Sequence, residues 1–355
     1  MAHMTNPLAT PDQLFQRRSL GALPMELQDI IFFSTQCLTQ AAGLLLQLPQ
    51  SVTAQANVLL ARYWLVESMM AHEFSDVSAA TLYLVAKLSS HPVSPRDVAY
   101  IYTYLLSSSS AFFHDPSSRP PPPPPPPFGS ESTTTATASS FSSDKSNTPY
   151  LSPSGYQAFH ARLLRLEGLV LAALGFDTHV ALPHPLAVTY LQALDFFSFR
   201  RDGSKEAGRR ALAARAVAYL NAALLSPQAL YLTHQPPALA VAAMYSAARD
   251  VGAKMPECEW WEVFDVDREE LGFLVVGMRS VEGWGRKMRK DMKEAMRGRE
   301  RGMLTRKDVE GELRRRGLVA GDEVGNGSKM AVVDAAEEEA ARRLDEKMAE
   351  MASAA

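Results

Sequence analysis

The sequence predicts an all-α protein built as two similar five-helix bundles in tandem, each wrapped round a central buried helix. Three observations predict it. Apolar residues recur at helical spacing along most of the chain, and no alternating run demands a strand. Two segments, "VSAATLYLVAK" (77–87) and "ALAVAAMYSAAR" (238–249), are apolar on every face and end in a basic residue. A helix with no polar face belongs in a core. Each of these is preceded by two amphipathic helices and followed by two more. A pattern seen twice, about 160 positions apart, points to duplicated domains and not to a solenoid.

Composition sets the outer bounds. The 355 residues are 46% hydrophobic, enough for two ordinary domains with real cores. The 36 basic and 39 acidic residues give a net charge of −3, which implies no chain-wide affinity for nucleic acid. Cys37 and Cys258 lie far apart, have no metal-ligand spacing and read as reduced thiols. No apolar run of transmembrane length and no basic-then-apolar leader is visible, so a soluble intracellular protein with no membrane partner is expected. "MAHM" reads as an expression remnant ahead of Met4.

The elements follow in order. Residues 1–24 are polar and expected to be disordered. Helical spacing begins near Met25, after Pro24, and runs to about Leu46, where "LPQ" breaks it. A second helix spans about 52–70, and the third is the apolar one ending at Lys87. In "HPVSPRDVAYIYTYLL", Ser94 is placed to cap a fourth helix, with Pro95 at its first position and Asp97 completing a Ser-x-x-Asp box.

Residues 107–155 are then dominated by Ser, Thr and Pro, with unbroken proline from Pro120 to Pro127. Such a run adopts extended polyproline II, and a disordered insert is expected. It reads either as a tolerated surface insertion or as a ligand for an SH3- or WW-type domain. Order resumes with "YQAFHARLLRLEGLVLAALGFD", which puts Phe159, Leu163, Leu166, Val170 and Leu174 on one stripe and ends at Gly175. The second set of helices comes from "PHPLAVTYLQALDFF", "RRALAARAVAYLNAALL", the apolar 238–249 segment and two more within 258–284.

Two charges stand out against this apolar background. Lys87 falls where the central helix meets the surface, either as a solvated helix end or as a docking point for something outside the domain. Glu167 has Leu163, Leu164 and Leu171 as its helical neighbours, so its carboxylate leaves from a largely buried face and needs a partner. Lys87 is the natural candidate.

On these residues the chain resembles the cyclin family. "AAGLLLQLPQ", "LLARYWLVES", "VSAATLYLVAKLSS" and "PRDVAYIYTYL" are similar to a first cyclin box of the transcription- and splicing-associated type, most of all its cyclin L branch. "LLRLEGLVLAALGFDTHVALPHP" resembles the last helix of that box, and "PPALAVAAMYSAAR" with "WWEVFDVDREEL" resembles the second. The resemblance implies boxes at 25–106 plus 156–178 and at 179–284, followed by a charged helical or disordered tail at 285–355. It implies a nuclear, non-catalytic regulatory subunit. Such a subunit forms a heterodimer with a cyclin-dependent Ser/Thr kinase and activates it in RNA polymerase II transcription or pre-mRNA splicing, with further factors of those processes as partners. In the family the corresponding lysine and glutamate pair and bind the backbone around the kinase's mobile helix. Lys87 and Glu167 match these positions, and Leu84, Leu88, Leu163 and Leu171 would supply apolar contact. One departure is that Leu88-Ser89-Ser90 replaces the usual x-Glu-Glu. A cyclin-fold adaptor that binds protein or nucleic acid without activating a kinase is the alternative.

Other chemistry is weakly represented. His179 and His184, at i, i+5 across Pro183, do not suit one helix face, and no cofactor, metal or catalytic residue is expected. Residues 286–316 carry thirteen basic against six acidic residues. Arg286, Lys287, Arg289 and Lys290 open this run, and Arg314, Arg315 and Arg316 close it. It reads either as a nucleic-acid or nuclear-import surface or as a solvated helical tail with i, i+4 pairing. The terminal "AAEEEAARRLDEKMAEMA" reads as an exposed helix.

Overall fold

The central helix of the first bundle, α4 (Phe74–Leu88), is buried at every position from Val77 to Ala86. In this computed structural model it is ringed by α2 (Met25–Leu45), α3 (Gln50–Val66), α5 (Pro95–Leu106) and α6 (Pro153–Ala173). The structure describes residues 5–19, 23–107, 110, 151–196, 203–296 and 303–318. Among the described residues there is no strand, and no helix is long and apolar enough to cross a membrane. The Ser/Thr/Pro insert and the terminal Ala/Glu-rich segment lie almost wholly outside them.

Local chemistry sets the helix boundaries. Ser94 accepts a hydrogen bond from the Asp97 N–H at 3.1 Å and donates to Asp97 Oδ2 at 2.7 Å, with Pro95 in the first turn of α5. Ser152 caps α6 in the same way through the Gly155 N–H, ahead of Pro153. Gly175 ends α6 with φ +59°, a conformation costly for residues with a Cβ. Inside the bundle, a buried hydroxyl chain links three helices. Thr39 Oγ1 and Ser78 Oγ are 2.7 Å apart, and Ser78 Oγ lies 2.7 Å from the Tyr102 hydroxyl. Buried polar groups need such partners, so this chain fixes the relative rotation of α2, α4 and α5.

The second bundle repeats the order. Its centre, α10 (Pro236–Val251), is buried from Ala238 to Ala248 except at Tyr245, and is ringed by α7 (Pro183–Ala193), α8 (Gly203–Ala223) and the long α11 (Arg268–Ala295). A single turn, α9 (Leu230–Thr233), leads into α10. The fourth element is only a 3-10 turn, Glu262–Phe264, where a helix was expected. Asp265 at φ +58° closes that turn, and Asp267 then starts α11.

The two bundles share one core. Phe33 of α2 meets Trp284 of α11 edge to face at a centroid separation of 5.2 Å. Gly285 faces this ring, and a Cβ added there would sit in ordinary contact with it at 3.4 Å.

Both ends of the described chain correct the sequence reading. Residues 1–24 were expected to be disordered, yet Asn6 is 6% exposed and held from both sides. Its side-chain NH2 donates to the Ala181 carbonyl, and its side-chain oxygen accepts from the Ala181 N–H, each at 2.8 Å. The Gln235 amide embraces the Asn6 backbone N–H and carbonyl at 2.9 and 3.0 Å. The helix α1 (Pro11–Ser19) then packs on α3. Residues beyond 285 are likewise not merely a solvated tail. The helix α11 runs on to Ala295, and α12 (Arg306–Arg315) docks through Met303, Leu304, Val309 and Leu313, all buried. Burying apolar side chains of this size stabilises by roughly 1.5–3 kcal/mol each, enough to hold a ten-residue helix in place.

Candidate functional site

The C-terminus of α4 meets the middle of α6 at the rim of the first bundle. Position 87 is the first on α4, after the buried run, to reach solvent. The Lys87 side chain is 55% exposed, and its ammonium is favoured by the negative end of the α4 dipole. On α6, Leu163, Leu166 and Val170 face the core, and Glu167 lies at the edge of that stripe with its side chain 12% exposed. Lys87 Nζ donates to Glu167 Oε1 at 2.9 Å. That bond, followed by the carboxylate's charge, holds the Lys87 ammonium pKa above its ordinary value. The Tyr83 ring, one turn earlier, lies 5.8 Å from Nζ.

A second ion pair binds the same two helices. Arg162 Nε donates to Asp76 Oδ2 at 3.1 Å, with both side chains largely sheltered. The helix α6 is therefore tied to both ends of α4, so the Lys87–Glu167 pair is presented on a fixed frame.

The apolar residues expected around the pair divide sharply. Leu84 and Leu163 are each 2% exposed. They pack the core and offer no surface, which corrects their reading as contact residues. Leu171 is partly buried, and Leu88 is 58% exposed beside Lys87. The structure adds Leu164 (43% exposed) and Leu169 (39%). Between them, Gly168 would have no neighbour within 4 Å of an added Cβ. Leu164 and Gly168 stand at i, i+4 on the outer face of α6, a spacing legible in the sequence beside the inward stripe that drew the reading.

The basic residues behave differently at the two ends of their run. On α11, Arg286 pairs with Glu282 at 3.5 Å and Lys290 with Glu294 at 3.9 Å, all exposed, while Lys287 and Arg289 face solvent. Arg315 and Arg316 instead converge on the buried Glu312 carboxylate, and Arg316 also reaches Glu26 at 3.1 Å. Their hydrogen bonds hold the Glu312 pKa below its usual range. Arg314 is exposed. The Arg315–Arg316 end of the run thus neutralises an acid at the α12 docking site.

Among the described residues no group of three His, Cys, Asp or Glu side chains could hold a metal. His184 Nε2 lies 2.9 Å from Asn221 Oδ1, and the His179 carbonyl accepts from Arg62. Burial pushes the Cys37 thiol up to about 12, which leaves it unreactive.

No protein-family model matches the chain. Human cyclin-L2 is 26% identical over 235 residues, 66% of this chain and 36% of that protein. Zebrafish (Danio rerio) cyclin-L1 is 25% identical over 233 residues, 65% of this chain and 38% of that protein. The chain thus spans little more than a third of the length of these relatives. A chain of the crystal structure of the yeast RNA Pol II CTD kinase CTDK-1 complex aligns over 90% of this chain and 86% of its own, with TM-score 0.56 and 12% identity, a likeness of fold. With its two bundles, each wound round an apolar third helix, the chain is an all-α protein of the tandem cyclin fold, similar in sequence to the L-type cyclins.

Proposed function

We propose that this chain is a regulatory subunit, itself non-catalytic, that binds and activates a cyclin-dependent Ser/Thr kinase in the nucleus, in RNA polymerase II transcription or pre-mRNA splicing. The observation that carries the reading is the Lys87–Glu167 pair, with a half-exposed ammonium, a sheltered carboxylate and exposed apolar side chains at Leu88, next to Lys87, and Leu164, one turn before Glu167. A lysine held in this way still has N–H donors to offer, and its partner still has an oxygen to accept with. Together they suit a stretch of partner backbone, which presents both kinds of group. The similarity to cyclins L supports a kinase as that partner, and the fold shared with a chain of the CTDK-1 complex agrees with it.

The mechanism is a population shift. A protein kinase needs its catalytic lysine paired with the αC glutamate and its metal-binding aspartate in place before phosphoryl transfer is fast. A rigid surface that binds only the inward αC helix draws the kinase into that state. Moving a 1:99 equilibrium to 99:1 needs a differential affinity of about 5.5 kcal/mol. Leu88 and the outer face of α6 supply apolar area, Gly168 lets a helix come close, and Lys87 with Glu167 sets its register. Two ion pairs between α4 and α6 keep the surface from deforming to fit the inactive state.

One observation favours the adaptor alternative. Ser89 and Ser90 stand where an acidic pair would strengthen contact with a basic kinase segment. The full chain is used as bait in a nuclear extract, and the captured material is assayed on an RNA polymerase II C-terminal-repeat peptide. Capture of a kinase whose activity rises with added chain is expected. Capture of transcription or splicing factors with no kinase activity would instead establish the adaptor.

A further inference from the structure

The second bundle carries a counterpart of the Lys87–Glu167 pair with its polarity inverted. In the first bundle the central helix ends in a cation and the last helix supplies the carboxylate. In the second, the last turn of the central helix carries Asp250, and the flanking helices supply the cations that pair with it. Arg215 Nε of α8 donates to Asp250 Oδ2 at 2.8 Å, and Arg279 of α11 reaches Oδ1 at 3.2 Å. The Tyr219 hydroxyl completes the set, donating to Oδ2 at 2.7 Å. The Asp250 side chain is 18% exposed, against 54% and 43% for the two arginines. The acid is the sheltered member and the guanidiniums face outward.

Two guanidiniums against one carboxylate leave a positive excess at this point. Arg249, exposed and 5.9 Å from the Tyr245 ring, adds a third cation at the same helix end. Arg215 also lies 5.2 Å from the Tyr219 ring, so carboxylate and ring together restrain its plane. Arg215 meets Asp250 through Nε, a geometry that does not use its terminal NH2 groups. Arginines whose planes are held before a ligand arrives lose less freedom on binding it.

We propose that the Arg215–Arg279 fork, aimed by Asp250, is a docking point for a phosphorylated side chain of a partner peptide. A phosphate monoester carries nearly two negative charges and oxygens matched to the guanidinium fork. The compactness of the cluster selects a peptide over a nucleic acid, whose backbone calls for a track of cations along successive phosphates. Here two arginines converge on one carboxylate, with Arg249 next to it in sequence, and the next lysine, Lys254, is paired with Glu257 at 2.8 Å. The Tyr219 and Tyr245 rings offer contact to residues flanking the phosphate. This surface belongs to the other bundle from Lys87 and does not depend on the kinase reading.

The test uses the full chain and fluorescence anisotropy. The probes are a peptide library with a central phosphoserine and randomised flanks, its unphosphorylated twin, and a single-stranded RNA of about twelve nucleotides. The phosphorylated library should bind about tenfold more tightly than its twin, and more tightly than the RNA. Arg215→Gln with Arg279→Gln should abolish that preference, and Lys87→Glu should leave it unchanged. Arg215→Lys with Arg279→Lys keeps the charge and loses the fork, so most of the preference should go. Melting curves establish that each variant is folded, and the lysine pair decides the matter if the glutamine pair is not. Equal binding of the two libraries, stronger binding of the RNA, or a folded double variant that keeps the preference would each overturn the proposal.

Discussion

Lys87 Nζ lies 2.9 Å from Glu167 Oε1, although the two residues are eighty positions apart and the Ser/Thr/Pro insert intervenes. Chain length adds little to the cost of bringing them together, about 0.6 kcal/mol for each doubling of a flexible loop. Lys87→Glu sets two carboxylates against each other at a half-exposed site. Stability should fall by about 1 kcal/mol or less, because exposed pairs contribute little. Capture of the kinase should fall by tenfold or more. The double exchange Lys87→Glu with Glu167→Lys restores the internal pair with donor and acceptor transposed, so stability should recover while capture does not. Full capture by the folded single variant would remove the pair from the interface.

Burial pushes the Glu73 carboxyl up to about 7 from an ordinary value of 4.5, opposed by the Arg306 N–H that it accepts at 3.4 Å and reinforced by Asp76. The native state then holds more protons than the unfolded chain between these two values. Stability must therefore fall as pH rises from about 4.5 through 7. Glu73→Gln, neutral throughout, removes this loss. The difference in melting temperature between variant and wild type should move in favour of the variant as pH rises across that window. Parallel curves from pH 5 to 8 would show that Glu73 does not titrate there.

Ser78 is the middle of the Thr39–Ser78–Tyr102 chain, and the position of each hydroxyl decides its cost. Tyr102→Phe leaves Ser78 bonded to Thr39, and should cost about 1 kcal/mol. Ser78→Ala takes the shared partner from both neighbours, and should cost about 2–3 kcal/mol. Urea denaturation of the two variants measures the order, and the reverse order would mean that the Tyr102 hydroxyl does not act mainly through Ser78.

Gly43 sits where α2 crosses α3. A Cβ there would lie 2.7 Å from Thr53 Cγ2, a buried side chain with little room to move. Gly43→Ala should cost about 1–3 kcal/mol by overpacking, despite the better helix propensity of alanine. Thr53→Ala in the same chain should recover part of that loss. A double-mutant cycle gives the coupling, and strict additivity would show that the helices separate freely at this point.

The legible parts of the fold were those in which local chemistry and periodicity agree. Ser94, Pro95 and Asp97 announced α5, Gly175 announced the end of α6, and the unbroken apolar runs marked both central helices. Lys87 and Glu167 were legible because each interrupts an apolar context and so implies a partner. Asn6 was not legible, since one asparagine in a polar segment looks the same whether it faces solvent or the Ala181 backbone. The docking of α12 was masked by composition. Met303, Leu304, Val309 and Leu313 are thinly spread through a run dominated by arginine and glutamate. Leu84 and Leu163 show the opposite error, because helical spacing identifies the apolar face but not whether a core or a partner covers it.

The N-terminal stitch and the α12 dock close the chain on itself. Asn6, made first, is secured by Ala181 and Gln235 from the second bundle, while Met303 and Leu313, made late, are buried against helices laid down long before. Neither bundle is finished until both have emerged from the ribosome. A fragment begun at Met25 would leave the Ala181 backbone groups without Asn6, and one stopped at Ala295 would bare the apolar seat of α12. Isolated bundles cut at their helix boundaries should accordingly be poor surrogates, and the two should melt in a single transition.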